Sequence, residues 1–247
     1  MPTRELTQGQ RCYFRDQLRE GRAVALKDAE DFHPIVTALE RLGSVLHPKG
    51  RGLGDYKEGL LKIAQKGSSA PVDGDDRNLV MPLATLYTSV QNGRNDALHQ
   101  GAYARHLTRH CIELAIFIED GLMAEMDRVS DFMVRDPSVA ELWQPLAFAR
   151  QKMLSNSFSF LPIRVDTEWM FLSDYQVARY LSQAADRSVI RTRIDEAYEH
   201  CPGILKVANC VPGDRLVADV LRDFDGDPVL VVRGEELLGI ATPFDFL

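Results

Sequence analysis

One order of patterns occurs twice after residue 126, and that duplication limits the possible folds more than any single residue does. In the first copy SVAELWQPLAFARQKMLSN suits a helix, FSFLPIRV and EWMFLS suit two strands around Asp166-Thr167, and DYQVARYLSQA suits another helix. In the second, VADVLRDF suits a helix, DPVLVV and EELLGIAT two strands around Gly234, and PFDFL the start of a final helix. A small sheet with one apolar face needs a partner to cover it, and a second copy of the same unit supplies one.

The preceding residues have a different grammar. DAEDFHPIVTALERLGSVL, YKEGLLKIAQKG, NLVMPLATLYTSVQN and AYARHLTRHCIELAIFIEDGLM each read as a helix, and no convincing strand interrupts them. KGSSAPVDGDD, residues 66–76, has the composition of a flexible loop. Between Ala102 and Met123 the apolar positions Leu107, Cys111, Leu114, Ala115, Ile118 and Leu122 form a helical stripe. Ile112, Ile116 and Phe117 widen it until CIELAIFI is apolar nearly all round, which suits either a central core helix or one also covered by a second subunit. The expected fold is therefore α plus α/β, with a helical bundle over residues 1–124 and two repeated units over 127–185 and 186–247.

With 45% apolar and 26% charged residues the chain has the profile of a soluble globular protein. The opening MPTRELTQGQRCYFRDQLREGR does not read as a signal peptide and no apolar run approaches membrane-spanning length, so a cytoplasmic protein with no membrane partner is expected. Cys12, Cys111, Cys201 and Cys210 include no C-x-x-C pair, which argues against a structural metal or a disulfide framework; no metal ligands are assigned. The net charge of −7 is unevenly spread: residues 1–120 hold 16 basic and 16 acidic residues, so the acidic excess belongs to the later part. A polyanion such as RNA could still meet the helical part over a local patch of Arg94, Arg105 and Arg109.

Within the helical part, QNGRNDALHQG places Arg94 and His99 five positions apart. On a continuous helix five residues turn through about 500°, so the two side chains would diverge by about 140° and could not share a target. Asn92-Gly93 is a helix-stop pair, and Asn95 or Asp96 can cap a new helix through a side-chain oxygen. A break there would place His99 in a first helical turn, where the helix dipole disfavours a second positive charge and keeps the imidazole neutral. An arginine can hold a phosphate through two parallel hydrogen bonds, and a neutral imidazole can accept a proton. The plainer reading is a helix cap, with Arg94 solvated and His99 packed. His106, Arg109 and His110 follow at spacings that suit a solvated basic face, and Trp143 and Trp169 suit core or cleft-wall positions. No phosphate-binding glycine loop, zinc motif or nucleophile elbow points to another enzyme class.

The second part resembles a tandem pair of CBS domains, the cystathionine-β-synthase type of regulatory module, built from β-α-β-β-α units. LLGIATPFDFL carries the resemblance, with Gly239, Ile240, Ala241, Thr242 and Asp245 matching a family pattern of glycine, two apolar or small residues, Thr or Ser, and an acid three positions on. In the first copy, WMFLSDYQVARYL keeps only Ser173 and has Met170 and Gln176 where glycine and acid are expected. The resemblance implies binding of an adenine nucleotide or related signalling nucleotide through Gly239, Ile240, Thr242 and Asp245, with the Thr242 hydroxyl and Asp245 contacting its ribose and phosphate, and with Ser173 in the weaker site. RNDALH in turn resembles the R-x4-6-H motif of HEPN (higher eukaryote and prokaryote nucleotide-binding) domains, many of which are homodimeric endoribonucleases. That resemblance implies catalysis without a metal or other cofactor, by Arg94 and His99 with Asn95 or Asp96 orienting them, on an RNA substrate. Two functions remain open: a nucleotide-gated ribonuclease of the toxin or defence-effector kind, and a non-catalytic sensor whose helical part dimerises or recruits a partner.

Overall fold

The computed structural model describes residues 4–28, 30–69, 71, 81–97, 101–183 and 186–246, with the backbone alone for 94–97, 101–104 and 187. The chain divides into two compact units, Met1–Met126 and Asp127–Leu247.

The first unit is a helical bundle: α1 (Gln8–Lys27), α2 (His33–Leu46), α3 (Leu53–Ala64), α4 (Leu83–Ala97) and α5 (Gly101–Met123). Among its described residues there is no strand. The apolar stripe of α5 is the centre of its core: Leu107, Cys111, Leu114, Ala115, Ile118 and Leu122 are all buried. Ile116, however, is 41% exposed, so α5 is not covered all round within this unit. The expected loop at 66–76 falls mostly outside the described residues; at its start the Ser69 amide donates to Asp120 Oδ2 at 2.7 Å.

Two features depart from the sequence reading. Helix α1 was not expected, because its buried face offers Phe14 and Leu18 as its only large apolar residues, with Cys12, Gly21 and Ala25 between charged positions. Its start is nonetheless a capping box, in which Thr7 Oγ1 accepts from the Gln10 amide at 3.2 Å and Gln10 Oε1 accepts from the Thr7 amide at 3.0 Å. The second departure is at Asn92-Gly93, where α4 does not stop but runs on to Ala97. A Cβ on Gly93 would lie 2.8 Å from a methyl carbon of Leu107, so this glycine lets α4 and α5 approach rather than ending a helix. Asn95 and Asp96 therefore lie inside α4 and do not open a new helix.

The second unit contains α6 (Val129–Phe132), β1 (Val134–Arg135), α7 (Leu146–Asn156), β2 (Phe160–Val165), β3 (Glu168–Ser173), α8 (Asp174–Gln183), α9 (Ile194–His200), β4 (Lys206–Val207), β5 (Asn209–Val211), α10 (Val217–Arg222), β6 (Val229–Arg233) and β7 (Glu236–Ala241), closing on a 3-10 turn at Pro243–Phe246. The strands form two sheets, ordered β2-β3-β4 and β1-β7-β6-β5. Hairpins β2–β3 and β6–β7 turn at Asp166 and Gly234, both in the left-handed region with φ of 50° and 62°. The expected helix at 138–156 begins only at Leu146: the Ala140 amide donates to the Pro162 carbonyl at 3.0 Å in a parallel bridge, and Pro145 precedes the first helical residue. Trp143 lies in that non-helical stretch and is 63% exposed, so it is not a core residue.

The two copies exchange edge strands. β1, which precedes the first copy, pairs with β7 of the second, and β4, which precedes the second copy, pairs with β3 of the first. Segments 127–185 and 186–247 thus each contribute to both sheets. Phe171, Ala208, Leu230 and Ile240 pack together between the sheets, each large apolar side chain stabilising the unit by about 2 kcal/mol.

In the bundle, α3 and α5 meet where a Cβ on Gly121 would lie 2.0 Å from the Ile63 carbonyl oxygen, a backbone atom with little freedom to move. Gly121→Ala is expected to destabilise the protein by about 2–3 kcal/mol through overpacking, read as a lowered midpoint in urea unfolding followed by circular dichroism.

Candidate ligand-binding cleft

β7 runs into Thr242, and the chain then folds back within three residues. The Thr242 amide and hydroxyl both donate to Asp245 Oδ2, each at 2.8 Å, while the Asp245 amide donates to the Thr242 carbonyl at 3.0 Å. Proline at 243 fixes φ for the turn. The carboxylate of Asp245, only 6% exposed, is thereby held in one orientation.

That carboxylate borders a cavity of about 670 Å³ within the second unit. Ile240, Thr242, Pro243 and Phe244 continue the wall on the side of the second copy, Phe158, Ser159, Phe160 and Asp174 on that of the first, and Val134, Pro137 and Ser138 come from the segment around β1. The Asp174 amide donates to the Ser159 carbonyl at 2.9 Å, tying the start of α8 to the loop before β2. Of the residues expected to contact a ligand, Ile240, Thr242 and Asp245 are in this wall; Gly239 and Ser173 are not. Gly239 acts instead through close approach, since a Cβ there would lie 2.5 Å from the Met133 sulfur and 2.9 Å from the Val134 carbonyl oxygen. It lets β1 lie against β7, in the register Arg135↔Gly239.

Ser173 occupies the corresponding position in the first copy, with a different outcome. Gln176 Oε1 accepts from the Ser173 amide at 2.7 Å, and the Gln176 amide donates to Ser173 Oγ at 3.1 Å. Both residues are buried, and the Gln176 side-chain amide reaches the Gly203 carbonyl at 3.4 Å. The strand-end amide is capped by the side chain three residues on in both copies, by a neutral amide here and by a carboxylate in the second, while the hydroxyl accepts here and donates there. The wall residues from the loop before β2 and from the β1 segment were not legible in the sequence, because they meet the Thr242 turn only through strand exchange.

In the helical unit the side chains of Arg94, Asn95 and Asp96, and the whole of His99, lie outside the described residues. Further along α5, His106, Arg109 and His110 border a smaller pocket with Met81, Ile116 and Phe117. Ser89 Oγ and His110 Nδ1 are 2.8 Å apart across α4 and α5, and Arg109 pairs with Glu113 at 2.9 Å. Burial pushes the Cys111 thiol up to about 12 and raises that of Cys210, so neither is an activated thiolate.

No family model and no curated protein matches the chain. The solved structures that resemble the C-terminal half consistently contain CBS domain pairs. A putative acetoin utilization protein (AcuB) from Vibrio cholerae is 19% identical, with 49% of this chain and 87% of that one covered and a TM-score of 0.41. A hemolysin-like protein containing a CBS domain from Oenococcus oeni PSU is 21% identical, with 48% and 86% covered and a TM-score of 0.39. The CBS domain pair of protein MJ0100, in complex with 5′-methylthioadenosine and S-adenosyl-L-methionine, is 19% identical, with 48% and 95% covered and a TM-score of 0.38. At such identities the ligand has to be read from the residues of this chain's own cleft.

The Ser173–Gln176 pair should be structural. Gln176→Ala leaves a buried amide without its acceptor and is expected to cost about 1–2 kcal/mol in urea unfolding.

Proposed function

We propose that residues 127–247 bind an adenosine-containing ligand in the 670 Å³ cleft and that occupancy regulates the helical unit. The observation that carries this is the fixed Asp245 carboxylate in a wall that is otherwise largely apolar. A carboxylate is acceptor-only and can take two neighbouring hydroxyl donors, the arrangement a ribose diol presents. Phe158, Phe160, Ile240 and Phe244 offer faces for a purine, and the volume lies within the range of small-molecule sites. Regulation requires that the ligand fit one arrangement of the protein better than another, since a ligand shifts an equilibrium only by its differential affinity. Calorimetry of the full chain with adenosine is expected to show binding that Asp245→Asn weakens by about 1–3 kcal/mol; no heat at all would remove the reading.

For the helical unit, a metal-independent endoribonuclease acting as a homodimer is the activity that RNDALH supports. Its placement favours this: Arg94 lies at the end of α4, directly before the junction with α5, and α5 carries His106, Arg109 and His110 beyond it. In this reading Arg94 binds the scissile phosphate and stabilises the charge that builds in the transition state. His99 moves the proton between the 2′-hydroxyl and the leaving 5′-oxygen, and Asn95 or Asp96 orients the pair. Such a protein belongs with toxins and defence effectors, held silent until its adenosine-containing ligand arrives. Among the described residues no helix is long and apolar enough to cross a membrane. Purified protein, incubated with and without adenosine, should cut RNA in at least one of the two conditions in the presence of a strong chelator and leave 2′,3′-cyclic phosphate ends, with Arg94→Ala and His99→Ala each abolishing cleavage. Intact RNA after incubation with the wild type in both conditions would leave the helical unit as a dimerising or partner-recruiting module.

A further inference from the structure

We propose that the cleft selects adenosine derivatives whose 5′ substituent is neutral or positively charged and rejects 5′-phosphates. This rests on the adenosine reading above and narrows it. Two carboxylates, Asp174 and Asp245, stand in the wall, and among the described lining residues there is no Lys, Arg or His. Phosphate sites in proteins are made of cationic side chains and free backbone amides, often at a turn or helix start. Here the amide and hydroxyl of Thr242, the polar donors at the start of the turn, both already point to Asp245 Oδ2 at 2.8 Å.

Three cations, close in sequence to wall residues or bonded to groups that are, each make a hydrogen bond to another group. Arg135 follows Val134 in the chain, but its guanidinium donates to the Ser130 carbonyl at 3.3 Å. The Lys152 ammonium donates to the carbonyl of Val139, next to Ser138, at 3.0 Å. Lys206 is paired with Asp227, next to Gly226, through contacts of 2.9 and 3.2 Å. A phosphate entering the cleft would meet two carboxylates and no basic side chain among the described lining residues, and the buried position of Asp245 leaves its charge poorly screened by salt. A 5′-thioether or hydroxyl meets no such repulsion. A sulfonium is attracted by the same two carboxylates.

Calorimetry of the full chain with adenosine, 5′-methylthioadenosine, S-adenosylmethionine, AMP and ATP tests this. Adenosine and the two sulfur compounds should bind at least about tenfold more tightly than AMP, and ATP more weakly still. In Asp174→Asn the ratio of the AMP to the adenosine dissociation constant should fall by about two- to fivefold, a modest change because Asp174 is exposed. AMP or ATP binding as tightly as adenosine would overturn the proposal while leaving the adenosine reading intact. An unmoved ratio in Asp174→Asn would overturn its electrostatic basis. Heat from none of the five would remove the adenosine reading itself and the selectivity with it.

Discussion

The cleft exists because β1 is hydrogen-bonded to β7 of the other copy, not to the copy that follows it in the chain. This pairing is only two residues long, and it is reinforced on either side: the Val129 and Ser130 amides donate to the Arg215 and Gly213 carbonyls at 3.0 and 2.9 Å, and the Asp136 amide to Leu238 at 3.3 Å. Gly239 makes it sterically possible, since any side chain there would strike Met133. Once β1 is in place, Val134, Pro137 and Ser138 become the third side of a cavity whose other sides come from the two copies. Without that exchange the Thr242 turn would face only its own sheet.

The duplication is accurate in backbone and inexact in chemistry. Ser173 and Gln176 reproduce one bond of the cap formed by Thr242 and Asp245, the strand-end amide donating to the side-chain oxygen three residues on, but the hydroxyl accepts from the Gln176 amide in the first copy and donates to the carboxylate in the second. Replacing the carboxylate by an amide removes the charge and adds two donors, one of which reaches the Gly203 carbonyl. Selection for a fold tolerates that change because the cap needs only an acceptor. Binding of a diol does not, because an acceptor-only group is what two hydroxyls require.

In the helical unit the corresponding constraint is close helix approach. Glycines 21, 93 and 121 sit where a Cβ would meet Ile35, Leu107 and the Ile63 carbonyl, which brings α1, α4 and α3 against their neighbours. The only acid buried in this bundle among the described residues, Glu119 on α5, accepts from Nε and Nη2 of Arg22 on α1 at 2.6 and 2.7 Å. Arg19 Nε lies 3.6 Å from the same carboxylate. Bidentate geometry offsets much of the desolvation cost of such a pair, and it also fixes the rotation of a helix whose apolar face is narrow.

Much of this was legible in the sequence, for a physical reason: periodicity reports which face of an element is buried, and turn residues report where it ends. The change from helical bundle to alternating strands near residue 126, the hairpins at Asp166 and Gly234 and the stripe on α5 follow from such local rules, whereas the Thr242–Asp245 motif was marked by its resemblance to a family pattern. What they could not report is which element lies against which. A glycine reads as a stop until Leu107 is known to press on it; a mostly polar helix such as α1 gives a weak signal until α5 presents Glu119; a two-residue strand gives none at all. The sequence alone determined the duplicated unit and the residues at its capping turn, because these depend on neighbours three or four positions away. Only the tertiary structure decided that Gly239 serves strand approach and that Asp174 joins Asp245 around one cavity, because those facts depend on a strand exchange between segments a hundred residues apart in the chain.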